Sequence, residues 1–148
     1  MPTIQKATLN NIEELCSLLD ILFSQEIEFV PNRALQEEGL RTIIQSDTLG
    51  DIFVAIDDDK IVAMVNMLYT YSTALGAKVA MLEDMVVEPQ YRAKKIGSQL
   101  LSYVSKHLKQ EGFKRVTLLT DADNTQAHNF YEQNGFELST MVAFRKLL

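Results

Sequence analysis

"EDMVVEPQYRAKKIGSQLL" (residues 83–101) passes from an apolar run through Pro89 into the cations Arg92, Lys94 and Lys95, and after Gly97 into a second apolar segment. The proline closes a strand, and the spacing of Ile96, Leu100, Leu101, Val104 and Leu108 predicts a helix, so the stretch is a strand, loop and helix in succession. A helix leaves its first N–H groups without intrahelical partners and carries partial positive charge at that end. With cations clustered before it, this terminus suits an anion that approaches the backbone closely, and phosphate is the leading candidate.

On the N-terminal side, "TIQKAT" (3–8) alternates as a strand, and Asn10 or Asn11 can cap a helix whose Ile12, Leu15, Leu18, Leu19 and Leu22 form one stripe. An irregular connection, "SQEIEFVPN" (24–32), leads to a second helical pattern through Leu35, Leu40, Ile43 and Ile44. "DIFVAI" (51–56) and "KIVAMVNMLYTY" (60–71) flank an aspartate run and predict an antiparallel hairpin, followed by a third strand at "KVAMLEDMVV" (78–87). On the C-terminal side Gly112 ends the helix and "RVTLLT" (115–120) is a buried strand. Asn124 then caps a short helix carrying Ala127, Phe130 and Tyr131 on one face, Gly135 closes it, and "FELSTMVAFRKLL" (136–148) supplies a last strand. This order predicts an α/β domain with a mixed sheet and one crossover helix between the strands near 80 and 117.

A chain of 148 residues with 47% apolar and 23% charged side chains and no linker-like tract fits one domain, residues 1–148. The net charge of −6 gives no general attraction to nucleic acid or to an anionic membrane, which makes the local basic cluster the anomaly. The N-terminal residues lack a secretory pattern and no apolar run approaches a membrane span, so a cytoplasmic location is expected. Cys16, the single cysteine, excludes an intramolecular disulfide and falls on an apolar helix face as a packed thiol. His107 and His128 lie on helices without partner ligands at metal spacing and read as helical surface; no metal is expected.

"YRAKKIG" (91–97) followed by "NTQAHNFYEQNGF" (124–136) closely resembles the GNAT superfamily of acyl-CoA-dependent N-acyltransferases. The resemblance covers nearly the whole chain, including the element order, and implies a mixed, mostly antiparallel sheet flanked by helices that binds acyl-CoA where strands splay. It implies that Arg92, Ala93, Lys94, Lys95, Ile96, Gly97 and Ser98 hold the pyrophosphate of acetyl-CoA. Main-chain groups of Met85, Val86 and Val87, with Asn124, would receive the pantetheine arm. One departure stands out: the family's first motif glycine is Lys95 here, and Ala93 replaces another frequent glycine. Either Lys95 narrows the turn, or its ammonium neutralises a phosphate; the second is favoured.

"MLEDMVVEP" (81–89) also looks like the strand before this loop in diamine-type acetyltransferases, where an acidic residue matching Glu83 faces the amine. Alternation would point Glu83 and Asp84 to opposite faces, so that one of them serves the site, and Glu83 is the choice. A primary amine must lose a proton before it attacks a thioester; Glu83 can accept it, a backbone N–H near Val86 can hold the developing oxyanion, and Tyr131 matches the family's catalytic acid. Phe23, Glu26 and Glu28 fall in the region that lies over the acceptor end in the family, and with Glu83 they suggest a cationic small-molecule amine. A homodimer is common in the family. The other readings are an enzyme acting on a protein or peptide amine, and a CoA-binding module without catalysis.

Overall fold

The computed structural model describes residues 2–26 and 28–148, and the chain divides into two compact units, Met1–Leu118 and Leu119–Leu148. The first holds a five-stranded sheet in the order β1 (Thr3–Lys6), β2 (Gly50–Asp57), β3 (Lys60–Ser72), β4 (Ala77–Val87) and β5 (Val116–Leu118). The first four strands are antiparallel in succession and β5 runs parallel to β4. A parallel neighbour cannot be reached by a tight turn, and the crossover is made by a helix, Ile96–Gln110. This is the mixed, mostly antiparallel sheet with flanking helices that the sequence predicts.

Two helices precede β2: α1 (Ile12–Gln25) and α2 (Arg33–Gln45), with the crossover helix as α3. A 3₁₀ turn at Leu9–Asn11 leads into α1, its entry fixed by the Thr8 N–H donating to Asn11 Oδ1 at 2.8 Å. The stripe Ile12, Leu15, Leu18 and Leu19 is buried against Ile52 and Val54 of β2, Met64 of β3 and Val86 of β4. Asn32 caps α2 by accepting from the Leu35 N–H at 3.2 Å. Gln36 ties α2 to α1, donating from Nε2 to Asp20 Oδ1 at 2.9 Å and to the carbonyl of the buried Cys16 at 3.3 Å. Pairing of these helices by polar bonds leaves their apolar stripes for the sheet.

The opposite face carries Phe53, and α3 packs there through Tyr103 and His107, the latter edge-on to the Phe53 ring at 5.5 Å. His107 is therefore half-buried against the sheet, where the sequence reading places it on open surface. Between β2 and β3 the turn uses Asp58 (φ 52°) and Asp59 (φ 62°), both left-handed as a two-residue hairpin turn requires; aspartate tolerates this region better than most residues. Among the described residues no helix is long and apolar enough to cross a membrane.

The second unit contains α4 (Thr125–Gln133), capped by Asn124 Oδ1 accepting from the Ala127 N–H at 3.0 Å. Gly135 (φ 91°) closes it, letting the Phe136 N–H donate to the Tyr131 carbonyl at 3.0 Å. Taken by itself this unit carries no strand over residues 136–148, where the sequence predicts one. A strand exists only through a ladder to a neighbour, and the unit contains no second strand to supply it.

Candidate active site

The site is built from β4 outward. Along β3 and β4 the register runs Val65↔Met85 and Asn66↔Asp84 and then jumps to Met67↔Leu82, so Glu83 is an extra residue on β4 with no partner opposite. A β-bulge of this kind bends the strand and interrupts the alternation of side chains. Asp84 lies on the same side as Val86, in the core under α1, while Leu82 pairs with Met67 on the other side. Alternation would place residues 82 and 84 on one face; the bulge puts them on two. Alternation counted along β4 therefore does not by itself fix which way Glu83 points relative to Asp84.

Glu83 is exposed, and its neighbour Asp84 is mostly withdrawn from water. Asp84 Oδ2 accepts from Asn66 Nδ2 at 3.0 Å. Burial pushes the Asp84 carboxyl above its ordinary value, the bond from Asn66 pulls it back in part, and the charge of Glu83 raises it further. Asn66 Oδ1, fully buried, has no hydrogen-bond partner among the described residues.

Beyond the bulge, one edge of β4 is open within this unit. The β5 ladder reaches Ala80, Met81 and Leu82 only, so residues from Glu83 to Val87 have a strand beside them on the β3 side alone. The Glu88 N–H donates to the Val62 carbonyl at 2.8 Å. Main-chain groups alternate in direction along a strand, so the Val86 N–H also faces β3, and those of Met85 and Val87 face the open edge. A donor near Val86 thus resolves to Met85 or Val87.

The chain then turns through a 3₁₀ segment, Pro89–Tyr91, into the basic loop. Arg92 Nε donates to the Val87 carbonyl at 3.0 Å, which fastens the loop to the end of β4 and leaves the rest of the guanidinium available. Lys94 Nζ stands 5.1 Å from the centre of the Tyr91 ring, a cation–π contact. Ala93 (φ 65°) and Lys95 (φ 63°) are both left-handed, the conformation that favours glycine, so the two glycine replacements keep the turn without its usual residue. Lys95 is the N-cap of α3, no side chain caps the helix, and its first turn carries no acidic residue. Gly97 is buried beneath the turn. Backbone donors, exposed cations and a first helical turn without acidic residues fit a pyrophosphate at this end.

Phe23 ends the apolar face of α1 and packs 5.7 Å from the Phe29 ring. Glu26 leaves α1 in extended conformation, and Glu28 follows in the connection to α2. In the second unit Asn124 is the cap of α4, and Tyr131 packs edge-on between Phe130 (5.2 Å) and Phe136 (5.6 Å). His128 Nε2 lies 3.1 Å from the Asp121 carbonyl. Among the described residues no group of three His, Cys, Asp or Glu side chains could hold a metal ion. The sequence reading missed Asn66 and the Glu83 bulge. The signal for the first was a lone amide in the apolar run "KIVAMVNMLYTY"; the second left none.

The sequence model of the Acetyltransferase (GNAT) family matches residues 13–136. The uncharacterized N-acetyltransferase YhfO of Bacillus subtilis (strain 168) is 33% identical over 89 residues, which span 60% of this chain and 60% of that relative. The aminoalkylphosphonate N-acetyltransferase of Salmonella typhimurium is 22% identical over 136 residues, 92% of this chain and 85% of that one. Among solved structures, an aminoglycoside N-acetyltransferase in complex with CoA superposes with a TM-score of 0.84 at 19% identity, covering 99% of this chain and 95% of that one.

Proposed function

The chain belongs to the acetyltransferase (GNAT) family, and on that premise we propose that it works as one acetyltransferase domain that moves an acetyl group from acetyl-CoA to a primary amine of a small molecule. The observation that carries this reading is the sequence of a β4 edge open within the first unit, a basic turn and a helix start with no side-chain cap within residues 83–98. In it Arg92, Lys94 and Lys95, with the turn at Ala93 and the first residues of α3, Ile96, Gly97 and Ser98, hold the pyrophosphate. The edge groups of Met85 and Val87 bind the pantetheine arm, and Asn124 adds a contact from its cap. Bound acetyl-CoA supplies an activated thioester.

The chain's own residues do the proton work. A primary amine with a pKa near ~10.4 is almost wholly protonated at neutral pH and has no lone pair for attack. Glu83 takes that proton, directly or through a water. The N–H of Met85 or Val87 donates to the thioester oxygen as charge builds there. Tyr131 then assists departure of the sulfur; full transfer from a phenol near ~10 to a thiol near ~8.5 is uphill by about 2 kcal/mol, so a hydrogen bond to sulfur is its contribution. Glu26, Glu28 and Glu83 favour a cationic acceptor, and Phe23 offers it an apolar wall. The Salmonella relative, named for N-acetylating an aminoalkylphosphonate, supports an acceptor of this size.

Incubation with acetyl-CoA and a panel of small primary amines, reading the appearance of free CoA thiol, tests the assignment. Thiol release with at least one amine is expected. Calorimetric binding of acetyl-CoA with no release for any amine would overturn it in favour of a CoA-binding module.

A further inference from the structure

Asn66 is 4% exposed in β3, flanked by the fully buried Val65 and Met67, and its Oδ1 meets no donor among the described residues. An acceptor stranded in this way destabilises the fold, whereas an apolar residue of similar size would not. Its Nδ2 reaches across to Asp84 at 3.0 Å, next to the extra residue Glu83. Two polar side chains therefore face each other in an apolar strand pair that would hold together better without them. Their bond lies at the last paired step before the bulge, where the register shifts between Asn66 and Met67.

We infer that Asn66 and Asp84 form a positioning pair: their cross-strand bond fixes the geometry of the β4 bulge and with it the direction in which Glu83 presents its carboxylate. The inference rests on Glu83 as the proton acceptor. Neither partner of the pair touches the reacting atoms. Asn66 acts through Asp84, and Asp84 acts through the backbone it shares with Glu83. Stability is lost to the stranded acceptor, and what is gained is a base held in one orientation.

The test uses the full chain with acetyl-CoA and the fastest amine of the panel. In Asn66→Leu/Asp84→Leu both polar groups are replaced by apolar ones, which should leave Tm equal or higher while kcat falls ~10- to 100-fold and the KM for acetyl-CoA stays within about twofold. Wild-type kcat in this variant would overturn the proposal. Glu83→Gln is measured beside it. If Glu83→Gln turns over normally, the base assignment itself has failed and the pair has nothing to position. If Glu83→Gln is slow and the apolar pair is not, the positioning role alone has failed.

Adding Glu83→Gln to the apolar pair should slow it no further than Glu83→Gln alone, because groups acting through one residue are not additive; full additivity would refute action through Glu83. Asp84→Asn keeps the shape and a cross-strand hydrogen bond, and should recover turnover to within about threefold of wild type. A loss as large as that of the apolar pair would show that Asp84 acts by its charge and would overturn the proposal. The asparagine variant also decides the matter should the apolar pair not fold.

Discussion

At the β4 bulge, Asp84 lies largely out of water between Asn66 and Glu83; a few residues later, Arg92, Lys94 and Lys95 stand in solvent. In the first region burial opposes the charge of Asp84, and one cross-strand bond from Asn66 supports it. The second holds three cations by backbone shape, with Ala93 and Lys95 in left-handed conformation. Charges in a low-dielectric setting act strongly over short distances, and exposed charges are screened by salt within about 10 Å. On the proposed mechanism, the bulge would govern rate and the loop affinity.

The largest expected effects are on rate. Tyr131→Phe keeps the ring and should lower kcat by ~10²- to 10⁴-fold with acetyl-CoA affinity nearly constant. Glu83→Gln should also slow turnover, with a loss that shrinks as pH rises and more amine arrives deprotonated. Steady-state kinetics across pH check both. A fully active Tyr131→Phe enzyme would remove the role of its hydroxyl at sulfur, and a Glu83→Gln loss independent of pH, where chemistry is rate-limiting, would make Glu83 a binding or packing residue.

Intermediate effects belong to the loop. Lys95→Ala should weaken acetyl-CoA binding a few-fold at low salt and hardly at all near ~1 M salt, as an exposed ion pair does. Lys95→Gly removes the same charge and relieves the left-handed backbone, so it should bind like the alanine variant while gaining ~1 kcal/mol in denaturant unfolding. Equal affinity at both salts, by calorimetry, would erase the distinction between the two regions. Tighter binding in Lys95→Gly would mean that the side chain obstructs the turn.

The smallest effect is a pH dependence of stability. The fold holds the Asp84 carboxyl above its ordinary 3.8, so the folded state binds that proton more tightly than the unfolded chain does. Its contribution favours folding below the ordinary value and is lost as pH rises through the raised one. Asp84→Asn, neutral throughout, should therefore gain Tm relative to wild type as pH rises from about 4 through the raised value. A constant Tm difference across that range would show that Asp84 is no more desolvated than a surface carboxylate.

Much of this was legible in the chain. The stripe Ile12 to Leu19, the aspartate hairpin between β2 and β3 and the run from β4 through Pro89 into α3 each announce their element by period or punctuation. The bulge was not legible, because "LEDM" contains nothing that says which strand register breaks; that is decided by how β3 and β4 twist against each other. Nor were the left-handed Ala93 and Lys95, since the residue that signals such a turn is absent from both positions. His107 reads as surface because its burial depends on Phe53, a residue of another strand. The basic turn ahead of α3 could be read from local sequence, and the Asn66–Asp84 pair, eighteen residues apart, required the sheet.

Cys16, enclosed between α1, α2 and the sheet, has one practical consequence. Burial pushes its thiol up, with Arg33 opposing in part, so the nucleophilic thiolate is scarce as well as enclosed. A disulfide dye added to the native protein should consume no label, and every equivalent it registers in an acetyl-transfer reaction comes from released CoA. In denaturant the same sulfur becomes a clock: its labelling rate counts the openings that unfold the α1 core, giving a stability measurement from a protein that carries its own probe.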